Sequence, residues 1–436
     1  MLKVLTHPHD MAEFRRRLPS GLDADPKVAE SARSIVDDVR QRGDAALIDY
    51  TRKFDGIDLS SSSLRVPAAE MARAWASQSA DFRDAIELGI ERIGAFHRAQ
   101  HPMGLDLTHA DGARFRRLYL PLQRVGVYVP GGSAAYPSTV MMNVIPAQMA
   151  GVPQIVMTTP PARRAGPAAS AILAVAHRLG VDEVYRVGGA QAIGALAYGT
   201  QTIGRVDKIV GPGNSYVNEA KRLVFGQVDI DSLAGPSEIL VIADATSDPR
   251  YVAADLLSQA EHSPDAQAIL VFVGTAQELE PYLAEVERQT QQAPRRSIIE
   301  QSLERYGTAV LVASDMAAAE VANEKAPEHL EILTREADAL IPHIRTAGAV
   351  FVGPHTPEAV CDYLAGPNHV LPTGGTARFF SGLGTSSFLR AMNVTRMSAG
   401  ALAKCAPHVM TLANTEGLPA HAAAIAVRME ARPVKG

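Results

Sequence analysis

Between residues 124 and 353 the chain alternates short apolar runs, rich in valine and isoleucine, with longer segments of helical periodicity. That alternation leaves few folds open to it. VGVYV (125–129), QIVMTT (154–159), EVYRV (183–187), SEILVIAD (237–244), AILVFVG (268–274), TAVLVAS (308–314) and GAVFVG (348–353) have the length of strands. Near-continuous apolar runs of this kind suit parallel sheets with both faces covered. The segments between them, such as 168–180 and 276–293, space their apolar residues as crossover helices do. The expectation is an α/β chain with two Rossmann-like βα blocks and mainly parallel sheets. Helices fill about 26–100, with Pro26 as a first helical residue and Gly43 as the first stop. Residues 1–25 read as a short N-terminal arm, and the last fifty or so as a helical, alanine-rich appendage.

With 436 residues the chain can build more than one core. A net charge of −5 argues against nucleic acid as a partner, because phosphate binding needs a basic surface. Arg15-Arg16-Arg17 reads as a solvated helix face. Two cysteines, Cys361 and Cys405, make no disulfide framework and fit a reducing compartment. No run of about 18 apolar residues marks a membrane span. A soluble cytoplasmic protein is expected, acting on a small molecule.

Three glycine-rich turns follow strands: YVPGG (128–132), VGGAQAIG (187–194) and VGPGNSYVN (210–218). The last two also open helices, where backbone amides can cradle a pyrophosphate. None has the G-x-G-x-x-G spacing in register, and tight turn geometry explains glycines there equally well. In a parallel sheet the carboxyl ends of the strands are where ligands sit.

Gln259 and His262 lie three apart in LLSQAEHSPD and share a face if the segment is helical. A glutamine oxygen beside an imidazole suits a borderline metal such as zinc. Further donors are Asp362, in a Gly/Pro/Asn loop with Asn368 and His369, and Glu416 with His421 across the Gly417-Leu418-Pro419 break. Pro419 places His421 in the first turn of a helix, where the dipole favours the neutral imidazole that a metal needs. Glu328 and His329 follow Pro327 directly. Neighbours on a helix diverge, so both serve one cleft only if the backbone bends, as Pro327 permits. Such a pair can divide two proton transfers. Each histidine taken singly is more often a surface or satisfied core residue.

The long motifs GVYVPGG, GPGNSYVNEAKR, AGPSEILVIAD, DLLSQAEHSPDAQ, APEHLEI, DYLAGPNHVLPTGGTAR and EGLPAHAAAIAVR closely resemble the L-histidinol dehydrogenase family over nearly the whole chain. The resemblance implies oxidation of L-histidinol through L-histidinal to L-histidine, with two NAD⁺ reduced in succession. It implies one zinc per active site, held by Gln259, His262, Asp362 and His421. Glu328 would activate the water that attacks the aldehyde, and His329 would be the base in both oxidations. Ser237, Gln259, His262, His329, Asp362, Glu416 and His421 would meet the substrate; Tyr128, Gln191 and Asn214 would meet NAD. The resemblance also implies a homodimer whose C-terminal domain (383–436) reaches the neighbour's site. An NAD-binding domain (126–237) would be inserted into an α/β domain formed by 26–125 and 238–382. Cys361 stands where glycine is expected in many relatives. A sister zinc- and NAD-dependent dehydrogenase of another small alcohol, such as a sulfonated diol, shares this framework. Glu416 suits a cationic amine and weighs against a sulfonate.

Overall fold

The computed structural model describes residues 2–18, 25–131, 136–161 and 167–430, with the side chains of 167–169 left aside. The polar end of the expected arm (19–24) and Gly132 of the first glycine turn lie outside the described residues. The chain divides into two compact units, Met1–His101 with Leu122–Phe388, and Pro102–Pro121 with Leu389–Gly436.

The first unit holds two parallel sheets. The larger has six strands in the order Lys3–Thr6, Thr308–Val312, Gln267–Val273, Glu238–Asp244, His329–Leu333, Ala349–Val352. All its pairings are parallel. Strand alternation sends Ile239, Val241 and Ala243 into one apolar cluster and Leu240 and Ile242 into another, so helices cover both faces. The crossover helices start where the sequence supplies caps. Asp248 accepts from the Arg250 N–H, Thr275 and Glu278 form a reciprocal capping box, and Ser314 accepts from the Ala317 N–H. The N-terminal segment is no free arm. Lys3–Thr6 forms an edge strand of this sheet, and Met11 and Phe14 are buried in its core.

The smaller sheet runs Glu183–Arg186, Gln154–Thr159, Arg124–Tyr128, Lys208–Val210, Asp229–Ile230, again all parallel. The helices Pro26–Arg42 and Asp44–Asp55 share one core with it, in which Val36, Val39 and Leu47 meet Ile193, Leu196 and Ile209. Gly194 permits this approach, since a Cβ there would stand 3.3 Å from Val39. Those N-terminal helices, which the resemblance groups with 238–382, pack on helices Gly189–Tyr198 and Ser215–Val224 beside the five-stranded sheet, whose central strand is Arg124–Tyr128.

In the second unit, Leu389–Arg396 and Leu105–Thr108 flank Arg114–Pro121 in an antiparallel sheet. Helices Ala399–Thr415 and Pro419–Met429 follow, turned at Gly417 (φ 71°). The appendage is therefore not wholly helical. Its strand is stabilised by a partner far away in sequence, which local periodicity does not register. Among the described residues no helix is long and apolar enough to cross a membrane.

Candidate active site

Glu328 and His329 sit at the amino end of a central strand. The preceding helix Asp315–Lys325 stops at Ala326, the one non-glycine residue with positive φ (52°) among the described residues. Pro327 then carries the chain into His329–Leu333. The expected bend is present, and it leads into a strand rather than a helix. Both side chains address the same neighbour. The Glu238 N–H donates to Glu328 Oε2 at 2.9 Å, and His329 Nδ1 lies 2.9 Å from the Glu238 carbonyl. Because a carbonyl only accepts, that contact places the proton on Nδ1 and leaves Nε2 basic. Nε2 is buried with no hydrogen-bond partner. The ring stacks on Phe351 at 5.9 Å between centroids. Burial lowers the His329 pKa, against the pull of the Glu358 carboxylate. Burial raises the Glu328 carboxyl well above its usual range, and the charges of Glu238, Asp362 and Glu358 add to the rise.

The metal-ligand candidates of this unit gather around the pair. Gln259 lies on helix Pro249–Ala260, but His262 falls beyond its end, so the two do not share a regular helical face as expected. The chain turns through Glu261, and the His262 N–H donates to the Gln259 carbonyl at 3.1 Å. His262 Nδ1 is 3.0 Å from the Ser258 carbonyl and 3.3 Å from that of Gln259, which frees Nε2 to ligate. Gln259 Oε1 is buried without a hydrogen-bond partner. Asp362 is on the short helix Glu358–Tyr363 rather than in a loop, because Pro357 opens a helical turn before the Gly/Pro segment. Burial, then the adjacent Glu358, pushes its carboxyl up to about 8. His329, Glu358 and Asp362 bring donor atoms within 4.8 Å of one another. A buried imidazole nitrogen clustered with two carboxylates, and a buried amide oxygen on the neighbouring helix left without a partner, are donor types that fit a divalent cation.

Sequence reading missed Glu358, although it lies four residues from Asp362 on the same helix face. Its Oε1 is 3.8 Å from His329 Nε2, and its Oε2 accepts from Ser258 Oγ at 3.1 Å. Behind it, buried Glu331 accepts the Glu358 N–H at 2.7 Å and hydrogen-bonds to Asp255, whose carboxyl burial raises to about 6. Ser237, half-buried, precedes Glu238 and accepts the Gln267 N–H at 2.9 Å. His369 Nδ1 meets the Asp362 carbonyl at 2.9 Å, and burial drops its pKa to about 4. Asn368 is a structural anchor, donating to the Met142 carbonyl at 2.5 Å. Burial pushes the Cys361 thiol up to about 11, so it stays protonated. In the second unit, Glu416 caps the end of Ala399–Thr415 and His421 lies in the first turn of Pro419–Met429, both exposed.

The NAD candidates lie at the carboxyl ends of the five-stranded sheet. Tyr128 ends its central strand, and its hydroxyl accepts the Gly189 N–H at 3.1 Å. Burial keeps this phenol protonated, with its pKa pushed up to about 12. Gln191 is in the first turn of helix Gly189–Tyr198, its Oε1 buried and unpartnered. Asn214 caps Ser215–Val224 by accepting the Val217 N–H at 3.1 Å. Gly211 (φ 115°) runs so close to the Tyr128 strand that a Cβ would stand 2.1 Å from the Tyr128 carbonyl oxygen. Buried Lys221, ion-paired with Asp231, donates to the Gly211 carbonyl at 3.0 Å, while Asp231 accepts the Gly211 N–H at 2.7 Å. The exposed helix start at Asn214–Tyr216 and the unsatisfied buried amide oxygen of Gln191 fit a dinucleotide.

Residues 20–429 match the family model for histidinol dehydrogenase. A histidinol dehydrogenase of Synechococcus sp. is 47% identical over 436 residues, covering 99% of each chain. One of Geobacillus kaustophilus is 50% identical over 420 residues, covering 96% of this chain and 97% of its own. The crystal structure of histidinol dehydrogenase from Elizabethkingia anophelis matches with a TM-score of 0.92 at 36% identity, covering 98% of each chain. Fold and sequence agree, and the chain belongs to the histidinol dehydrogenase family of oxidoreductases.

Proposed function

We propose that this oxidoreductase converts L-histidinol to L-histidine in two successive NAD-dependent oxidations through L-histidinal, with zinc anchoring the substrate. The observation that carries the reading is the buried Glu328–His329 pair, both held by Glu238, with His329 clustered with the carboxylates of Glu358 and Asp362. Gln259, His262, Asp362 and His421 would hold the zinc. Tyr128, Gln191 and Asn214 would hold NAD. When bound, NAD⁺ supplies the hydride acceptor and zinc a fixed charge that orients the substrate.

His329 Nε2 takes the hydroxyl proton as the first hydride leaves the alcohol carbon. With a bound cation offsetting the charge of Asp362 that helps hold Glu328 protonated, Glu328 would then take a proton from the water that adds to the aldehyde. His329 would return its proton to the former carbonyl oxygen as the hydrate forms, and so be free to take a hydrate proton in the second oxidation. The lowered His329 pKa keeps that ring neutral and ready at physiological pH. Ser237 and Glu416 would bind the polar groups of the substrate, the carboxylate of Glu416 pairing with its amine. Glu328 and His329 are buried, a setting that would help retain the aldehyde between steps.

Two NADH per L-histidinol, L-histidine as product, and activity lost on chelation and regained with zinc are expected. One NADH with free aldehyde accumulating, or turnover indifferent to chelation, overturns the reading. We propose further that the protein is a homodimer in which Glu416 and His421 serve the neighbouring subunit's site. Refolding His329→Asn and His421→Asn chains together should then restore about one quarter of wild-type activity, from half the dimers and one site in each. No recovery places His421 in its own subunit's site.

A further inference from the structure

We infer that Glu238 and Lys325 are positioning residues for proton transfer, acting through the Glu238 main chain to fix both members of the acid–base pair. The inference rests on the assignment of Glu328 and His329 as that pair. Glu238 is fully buried, yet it is charged. Its Oε2 pairs with buried Lys325 Nζ at 3.0 Å, and its Oε1 accepts the Gly374 N–H at 2.7 Å. Its main chain does two further things. The N–H occupies one oxygen of Glu328, and the carbonyl takes the Nδ1 proton of His329. One residue therefore selects which carboxylate oxygen of Glu328 stays free and which nitrogen of His329 is basic.

Lys325 gives this arrangement its second anchor. It is the last residue of its helix, three before Glu328, and the intervening Ala326 adopts a strained left-handed conformation. A strained turn relaxes unless it is held. The Lys325–Glu238 pair holds it on one side. On the other side the Gly348 N–H donates to the Pro327 carbonyl and the Ala349 N–H to the Glu328 carbonyl, both at 2.9 Å. Gly348 packs so closely that a Cβ would meet the Glu328 carbonyl oxygen at 2.5 Å. A buried ion pair is a costly way to stabilise a fold, and apolar or neutral residues of similar shape often do as well. It is justified here by geometry, since a displacement of order 1 Å at reacting groups costs up to about 100-fold in rate.

The test is the double substitution Glu238→Gln with Lys325→Met, which removes both charges and leaves an amide oxygen for the Gly374 N–H. Steady-state kinetics with L-histidinol, zinc content and NAD affinity are measured on the holoenzyme. A kcat lower by ~10–100-fold is expected, with KM within about 3-fold and zinc and NAD binding unchanged. In ¹⁵N-histidine spectra, assigned by comparison with His329→Asn, the His329 signal should move from a pure Nδ1–H tautomer towards a mixture. Wild-type kcat in the double variant overturns the inference, as does a kcat loss matched by equal losses in KM, zinc and NAD binding. Should that variant not fold, Glu238→Gln alone gives the same reading, because an unpaired buried lysine can shed its proton. Full activity in His329→Asn would instead remove the assignment on which the inference rests.

Discussion

The two parallel sheets of the first unit present their candidate site groups at opposite ends of their strands. The five-stranded sheet offers main chain at its carboxyl ends, where Gly189, Gly211 and Gly213 lead into helices. The six-stranded sheet offers side chains at its amino ends, where Glu238, Glu328 and His329 begin their strands and Gln259 and Asp362 arrive on returning helices. The first follows the ordinary rule for open α/β sheets, and the second inverts it. The difference tracks the chemistry proposed for each. A dinucleotide is recognised by amides that need no protonation state. Proton transfer and metal binding need titratable groups whose charges are set by burial.

If that contrast holds, the six-stranded edge should fail in chemistry and the five-stranded edge in binding. The largest effect is expected at His329. His329→Asn should lower kcat by about 10²–10⁴-fold for both oxidations while zinc stays bound. Glu328→Gln should slow oxidation of supplied L-histidinal more than it changes any binding constant. An unchanged rate from histidinal would strike Glu328 from the water-activating role. At the other edge, Gly211→Ala forces a Cβ against the Tyr128 carbonyl at an unfavourable φ. It should cost roughly 2–4 kcal/mol of stability and weaken NAD binding while zinc content stays near one per chain. Zinc lost along with NAD would show that the two edges are not separable.

The same contrast explains what could be read in the sequence. The parallel sheets were legible because apolar runs and helical stripes alternate at local range. The glycine turns were visible as motifs, and the bend at Pro327 followed from proline's geometry. The helical face assigned to Gln259 and His262 failed because Pro264 marks the stop, yet the helix ends four residues before it, at Ala260. The strand Leu389–Arg396 was invisible because its partner Arg114–Pro121 lies some way off in sequence. Lys325 and Glu238 could not be paired from spacing, since 87 positions separate them and only the sheet order brings them together. Glu358 was within reach: a glutamate four residues before a suspected ligand shares its helix face.

The smallest effect expected is on stability, and it separates the edges by pH. Asp255 rises from 3.8 to about 6 and Asp362 from 3.8 to about 8 on folding, both chiefly through burial, and Glu328 and Glu331 move the same way. The folded chain therefore holds these protons more tightly than the unfolded chain. Their contribution to stability is complete below about pH 4 and is lost as pH rises towards 8. Carboxylates held down by partners, such as Glu183 beside Arg124, act in the opposite sense but have finished titrating below pH 5. Chelated protein should therefore lose resistance to urea steadily from pH 5 to 8. Zinc should flatten the decline, because a ligating Asp362 is already ionised and its neutralised charge no longer raises Glu328. Asp255→Asn should flatten part of it without metal. A metal-free protein equally stable at pH 5 and pH 8 would mean that these carboxyls are solvated when no metal is bound. The amino-end cluster would then be a site assembled by its ligand, unlike the glycine turns across the molecule, which the fold itself holds ready.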